Sequence, residues 1–396
     1  MTTDGERIVS YFGSCGIICH DLAGKELWRY ELPTAMTGGG FGSGVSPIIA
    51  DGTVILVRDE FTEAKILALN AATGALLWQT KRQSPMSYGT PVVWETPSGK
   101  QVVAVGHARL SGYDLKTGEE KWSASGVPSG CTPSPVLADG LLLFAGGASG
   151  DVAGPDGKPQ EPHSYDKLLK DLDKDGDGKI SRVEGEKGFG GFFDNQDANK
   201  NGFVEREEFE MIMTFMSQGK NTAFALKPGG SGDVTESHVL WKKTKGLPYI
   251  PTAIAYAGQY VMIRDGGIVT AYDAQTGDEI YQKRAAATGT YYASPVAAGG
   301  HIYFTTLLDG AVTVIKAGAK VPEVIATNPP LGERVGATPA IAEILILPMT
   351  FPRVDASGDS CASGPRGQGP VEPSSAEVGR SAHIRQSPGS AQRLRL

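Results

Sequence analysis

The stretch Ala68-Leu69-Asn70-Ala71-Ala72-Thr73-Gly74-Ala75-Leu76-Leu77-Trp78 returns 44 residues later as Tyr113-Asp114-Leu115-Lys116-Thr117-Gly118-Glu119-Glu120-Lys121-Trp122. Weaker copies are His20-Asp21-Leu22-Ala23-Gly24-Lys25-Glu26-Leu27-Trp28 and Ala271-Tyr272-Asp273-Ala274-Gln275-Thr276-Gly277-Asp278-Glu279-Ile280-Tyr281. Each copy reads as strand, tight turn, strand. The Asp or Asn and the Thr can hydrogen-bond the turn backbone, the Gly can take positive φ, and the aromatic residue packs on a neighbouring unit.

A second marker runs with the same period. Ser46-Pro47, Thr90-Pro91, Ser134-Pro135, Ile250-Pro251, Ser294-Pro295 and Thr338-Pro339 each precede a short apolar run, and the prolines step by 44, 44, 116, 44 and 44 residues. Repeats of this length, each holding several short strands, predict a mainly β fold, a β-propeller of four-stranded blades. The long step exceeds one period by 72 residues, so one blade carries an insertion of that size. Trp78 follows Pro47 by 31 residues, and the same count back from Trp28 ends before Met1. The first blade is therefore expected to lack its innermost strand. Trp78 and Trp122 are expected to occupy equivalent places between adjacent blades.

The organisation that follows is propeller over residues 4–149, a nested helical insertion over 150–222, propeller again over 223–343, and a tail over 352–396, with the propeller truncated at both ends. The strand at 339–343 is a candidate to complete the first blade. From Pro352 to Leu396 the chain is rich in Gly, Ser and Pro, with six arginines and no lysine, which reads as a disordered or out-of-frame tail. We favour a shifted frame near residue 343, because the repeat is lost within a strand rather than at a blade boundary.

Composition excludes several classes. The net charge of −7 leaves no basic footprint for nucleic acid. Cys15, Cys19, Cys131 and Cys361 have no zinc spacing, and Cys15 and Cys19 either pair across a hairpin or remain free thiols. No segment approaches the roughly 18 continuous apolar residues of a membrane span. No signal peptide is visible in this chain.

The insertion carries the chemistry. Asp173-Lys174-Asp175-Gly176-Asp177-Gly178-Lys179-Ile180-Ser181-Arg182-Val183-Glu184 fits the EF-hand calcium loop: Asp173, Asp175 and Asp177 at positions 1, 3 and 5, Gly178 at the turn, the Lys179 carbonyl, Ser181 through water, and a bidentate Glu184. A second loop runs from Asp197 to Glu208, with Asp197, Asn199 and Asn201 at positions 1, 3 and 5, the Phe203 carbonyl, Glu205 at position 9 and Glu208 closing the shell. Tyr165, Leu168, Leu169 and Leu172 form the apolar face of an entering helix. Phe189, Phe192 and Phe193 precede the second loop, and Phe209, Ile212, Met213 and Met216 follow it. The alternative is a pair of solvated acidic loops. The first loop, with four carboxylates against two before Glu205 is counted, is expected to bind Ca²⁺ more tightly. Only residues 185–196 separate the loops, and four of these are glycine, which favours a structural or buffering pair over a sensor.

The Asp/Asn-x-x-Thr-Gly-x-x-x-Trp stretches at 70–78 and 114–122 resemble the tryptophan-docking motif of the bacterial propeller proteins with pyrroloquinoline-quinone-enzyme-like repeats. That resemblance covers residues 4 to about 342 outside the insertion. It implies a seven- or eight-bladed propeller in an extracytoplasmic setting (periplasm or cell envelope), whereas this sequence offers five whole blades and two partial ones. The quinone enzymes of that family sandwich their cofactor between a tryptophan and a vicinal disulfide. No Cys-Cys pair occurs here, and only Trp94 stands outside the docking positions. No catalytic and no quinone-binding residue is assigned. The favoured function is a non-catalytic, Ca²⁺-binding interaction scaffold with a protein partner, like the propeller lipoproteins of outer-membrane barrel assembly. The alternative is a quinoprotein oxidoreductase.

Overall fold

The computed structural model describes residues 1–35, 37, 42–61, 63–147, 164–189, 193–197, 199–342 and 345–347. The tail at 352–396 and the first part of the insertion, to residue 163, lie outside them.

Alternating apolar residues and two-residue turns build the first sheets as antiparallel meanders. The first comprises β1 (Thr2–Thr3), β2 (Arg7–Phe12), β3 (Gly16–Asp21) and β4 (Glu26–Tyr30), in that spatial order. The second runs β5 (Ile48–Ala50), β6 (Thr53–Arg58), β7 (Lys65–Asn70) and β8 (Leu76–Lys81), and the third β9 (Val92–Thr96), β10 (Gly99–Val105), β11 (Arg109–Asp114) and β12 (Glu120–Ser125). The innermost place in the first sheet is not missing: Thr2 and Thr3 pair with Val9 and Ile8.

The fourth sheet opens with β13 (Val136–Ala138) and β14 (Leu141–Gly146) and is then interrupted. The interruption holds α1 (Tyr165–Leu172), β15 (Ile180–Ser181), α2 (Arg182–Phe189), α3 (Phe193–Gln196), β16 (Phe203–Val204) and α4 (Arg206–Ser217). The sheet resumes with β17 (Thr222–Leu226) and ends with β19 (Val239–Lys243); between them β18 (Gly232–Asp233) crosses to the preceding sheet and pairs in parallel with β12. Two regular sheets follow: β20 (Ile254–Tyr256), β21 (Gln259–Arg264), β22 (Ile268–Asp273) and β23 (Glu279–Arg284), then β24 (Val296–Ala298), β25 (His301–Thr305), β26 (Val312–Lys316) and β27 (Val324–Thr327). Last, β28 (Ala340–Ala342) pairs with β29 (Leu345–Leu347). It therefore starts a separate sheet beside β24 and does not complete the first. Inner strands neighbour one another in succession, β9 beside β13, β13 beside β20 and β20 beside β24. No helix among the described residues is long and apolar enough to cross a membrane.

Burial is continuous between sheets. Val54, Ile55, Leu56, Ile66, Leu67 and Ala68 of the second sheet are fully buried against Val9, Ile17 and Trp28 of the first and Val102 and Tyr113 of the third. The indole N–H groups join one sheet to the next: Trp28 donates to the Ala71 carbonyl at 2.9 Å, Trp78 to Leu115 at 3.1 Å and Trp241 to Ala274 at 3.1 Å.

Trp122 holds the same strand register as Trp78, opposite Gly112 as Trp78 is opposite Ala68, and is buried in a cluster with Phe144 and Phe224 of the next sheet, but its hydrogen bond departs from the pattern. Its indole donates at 2.7 Å to Gln101 in its own sheet and meets Trp94 edge-on at 6.1 Å. The cause is the following sheet, whose β17–β19 connection has no Thr-Gly turn to receive an indole and sends β18 across instead. Trp94, outside the docking positions, is buried and donates to the Gly140 carbonyl of the next sheet's hairpin.

A further correction concerns the register after the insertion. The residues that link inner strands do so through hydroxyls: the Ser46 N–H donates to Thr90 Oγ1, Thr90 to Ser134 Oγ, Ser134 to Thr252 Oγ1, Thr252 to Ser294 Oγ and Ser294 to Thr338 Oγ1, at 2.9–3.3 Å. The repeat equivalent of Ser134 is thus Thr252, two residues beyond the position marked by Ile250-Pro251. The inner hairpin turns agree, with positive φ at Asp51, Asp139, Ala257 and Gly299, five residues after Ser46, Ser134, Thr252 and Ser294. The acceptor hydroxyl sets the register, and proline follows it in four cases of five.

Cys19 and Cys131 are buried free thiols, so the Cys15–Cys19 pairing does not form.

Candidate metal centre

Serine 164 caps α1 by accepting the Lys167 N–H at 3.2 Å, and the helix turns Tyr165, Leu168, Leu169 and Leu172 inward. They pack with Ile180, Phe189, Phe193, Val204, Phe209 and Met213 in a core made wholly of residues between β14 and β17. Tyr165 fastens it by donating from its hydroxyl to the Val204 carbonyl at 2.8 Å. Gly185 and Gly188 let α2 lie close, because a Cβ would stand 2.7 Å from the Phe193 ring and 2.4 Å from Leu172, respectively. Phe192 lies outside the described residues.

This core holds two loops back to back. β15 and β16 pair antiparallel, Ile180 with Val204 and Ser181 with Phe203, so the seventh to ninth positions of each loop face the other. In the first loop Asp173, Asp175 and Asp177 bring carboxylate oxygens within 4.8 Å of one another. Asp173 accepts from the Gly176 and Gly178 N–H groups at 2.7 and 3.1 Å, Asp175 from Asp177, and Asp177 from Lys179. Glu184, in the first turn of α2, reaches back over the loop. It accepts from the Lys174 N–H at 2.8 Å and from the Ser181 hydroxyl and N–H at 2.7 and 2.9 Å. These donors, the Lys174 N–H foremost, hold its carboxyl down to about 2.

The second loop repeats the arrangement with fewer charges. Asp197 accepts from the Asn201 and Gly202 N–H groups at 3.0 and 2.9 Å, Asn199 from Asn201, and Asn201 from Phe203. Glu208 accepts from the Asn199 and Glu205 N–H groups, both at 3.0 Å. Asp197 and Glu208 are buried, unlike the exposed Asp175 and Asp177. The sixth position has positive φ in both loops, 82° at Gly178 and 89° at Gly202.

Glu205 bridges the two loops. Its carboxylate accepts from the Lys179 ammonium across the β15–β16 pair, and the Asn201 amide lies 3.4 Å from its other oxygen. The hydrogen bond lowers the Glu205 pKa and raises that of Lys179. Nothing in either loop motif announces this contact, because the two residues lie 26 positions apart.

Sequence reasoning also missed a buried polar group at the end of the sheets where the helical segment emerges. Asp59, after β6, takes a bidentate ion pair from Arg82 at 2.7 and 3.1 Å and hydrogen bonds from Ser84 and Ser87 at 2.6 and 2.5 Å. Arg82 also donates to Tyr113 and the Val105 carbonyl, tying the second sheet to the third. The adjoining cleft, walled by Arg58, Val45, Met86 and Tyr88, encloses only about 10 Å³, room for one water.

The family model for the outer membrane protein assembly factor BamB matches residues 3–159 and 231–367, more than half of the chain and none of the helical elements. Among solved structures, BamB from Moraxella catarrhalis is similar at a TM-score of 0.51 and 15% identity, over 87% of this chain and 79% of that one. The computationally designed Ika8 protein is similar at a TM-score of 0.52 and 12% identity, over 87% and 77%. These likenesses concern the fold. No curated protein matches the chain in sequence. With four-stranded sheets repeating on one period and a match on both sides of the interruption, the chain belongs to the family of the outer membrane protein assembly factor BamB, as a β-propeller of pyrroloquinoline-quinone-like repeats.

Proposed function

We propose that this protein is a non-catalytic interaction scaffold, a propeller that binds protein partners in an extracytoplasmic compartment and carries a Ca²⁺-binding EF-hand pair nested in its fourth blade. The observation that carries the calcium reading is the duplicate loop. Two consecutive segments present backbone-anchored oxygen donors at the same loop positions, joined back to back by β15 and β16. Hard oxygen ligands at positions 1, 3, 5, 7, 9 and 12 are what a seven-coordinate Ca²⁺ takes. In the first loop Asp173, Asp175, Asp177, the Lys179 carbonyl, Ser181 through water and Glu184 would hold the ion. In the second, Asp197, Asn199, Asn201, the Phe203 carbonyl, Glu205 and Glu208 would do so. The insertion spans residues 150–222 on this reading.

The scaffold reading draws support from family membership and from the tryptophans. All five donate their indole N–H inside the protein, and Trp28, Trp94, Trp122 and Trp241 are buried, as packing residues of a scaffold would be.

The test is the double variant Glu184→Gln, Glu208→Gln. Calorimetric titration with CaCl₂ is expected to show two sites in the parent and none in the variant, while the far-UV circular dichroism keeps its β character. Undiminished binding in the variant would place the ligands elsewhere.

A further inference from the structure

We infer that Lys179 is an affinity-setting residue for the second calcium loop, acting through its ion pair with Glu205. The inference rests on the reading of both loops as Ca²⁺ sites. Glu205 is the ninth residue of the second loop, the position that supplies a ligand directly or through water. One oxygen of its carboxylate is engaged by an ammonium from the first loop, while the other lies 3.4 Å from the Asn201 amide of its own loop. The same ammonium lies 5.6 Å from the centroid of the Phe203 ring, whose residue gives the second loop its seventh-position carbonyl. Lys179 is therefore held on two sides by the second loop while its own carbonyl belongs to the first.

The consequence follows from charge. With Glu205 neutralised, the second loop offers Ca²⁺ only Asp197 and Glu208 as uncompensated carboxylates. An ion recruiting Glu205 must displace Lys179 or share the carboxylate with it, and that competition weakens the second site. Each side chain of the pair is partly exposed, at 45% and 31%, so solvent screening keeps the effect modest. The ammonium also sees Asp177 of the first loop, but forms its hydrogen bond with Glu205, and the ninth residue of the first loop is Ser181, whose hydroxyl donates to Glu184. Lysine at position 179 thus widens the difference in affinity that the carboxylate count already sets.

The experiment uses the full chain with Glu184→Gln, so that only the second loop binds, and CaCl₂ as titrant in a calorimeter. Adding Lys179→Met is expected to tighten Kd by about three- to tenfold, whereas Lys179→Arg, which keeps the charge, should leave Kd within about twofold. In a Glu205→Gln background the gain from Lys179→Met should shrink to less than about twofold, because the pair is already gone. An unchanged Kd in Lys179→Met overturns the inference, and so does an equal gain with and without Glu205, which would make Lys179 a general field effect. Absence of any Ca²⁺ binding by the parent chain overturns the reading of the loops and this inference with it. Binding by the parent with an unchanged Lys179→Met overturns this inference alone.

Discussion

Trp78 shows how one side chain joins two blades. Its indole donates to Leu115 of the next sheet and lies flat on the turn that follows, where a Cβ on Gly118 would stand 2.3 Å from the ring. Gly118 is also left-handed, with φ of 72°. Gly52 shares that conformation, with φ of 71°, but faces open space. The pair separates backbone cost from packing cost. Gly52→Ala should destabilise by about 1–2 kcal/mol, the left-handed penalty alone. Gly118→Ala adds overpacking and should cost about 1–3 kcal/mol more. Urea denaturation of both variants measures the difference, and equal costs would mean the indole yields without strain. Trp122, bonded inside its own sheet, has no such partner glycine in the next blade.

At the scale of elements, the hydroxyl ladder from Ser46 to Thr338 is the device that keeps inner strands in step. Each backbone N–H in it donates to a hydroxyl of the next blade. Ser134→Ala would strand the Thr90 N–H, and Ser294→Ala that of Thr252, at about 1–2 kcal/mol each. Amide hydrogen exchange should accelerate at Thr90 in the first variant and at Thr252 in the second. Replacing Pro251, which stands outside the ladder, should accelerate neither. The β18 crossing works at the opposite rim: it covers the outer edge of β12, an edge that would otherwise offer unpaired backbone groups.

For the whole molecule, the question is how far the helical segment depends on the propeller. Its core shares no residue with the propeller clusters. It is tethered where Gly147 donates to the Pro248 carbonyl and Lys220 to the Val127 carbonyl. Gly146 and Thr222 are register partners across β14 and β17, so the segment leaves and re-enters at one hairpin end. Joining Gly147 directly to Asn221 would convert the interruption into a two-residue Gly-Asn turn, a favourable hairpin connection. The excised chain should keep its β circular dichroism and lose no more than about 1–2 kcal/mol, one or two hydrogen bonds. It should bind no Ca²⁺. Loss of the β signal would make the segment integral to the blade and overturn the 150–222 boundary.

What the sequence determined by itself is what is local or periodic. Asx turns, hairpin glycines and loop ligands act over spacings of two to eleven residues, so Asn70, Asp114, Asp173 and Asp197 carry their structural meaning where they stand. The blade period is equally legible, because each unit must present the same apolar strands to its neighbour. What only the tertiary structure decided is which distant groups meet. Ile250-Pro251 has the right dipeptide type, yet Thr252 holds the register, because an incoming N–H selects a hydroxyl and not a ring. Trp122 has the docking motif, yet the next blade lacks the turn that would receive it. Lys179 and Glu205, and Asp59 with Arg82, are ordinary charged residues in sequence, brought together only when β15 meets β16 and when β6 and β8 end at the same edge of one folded blade.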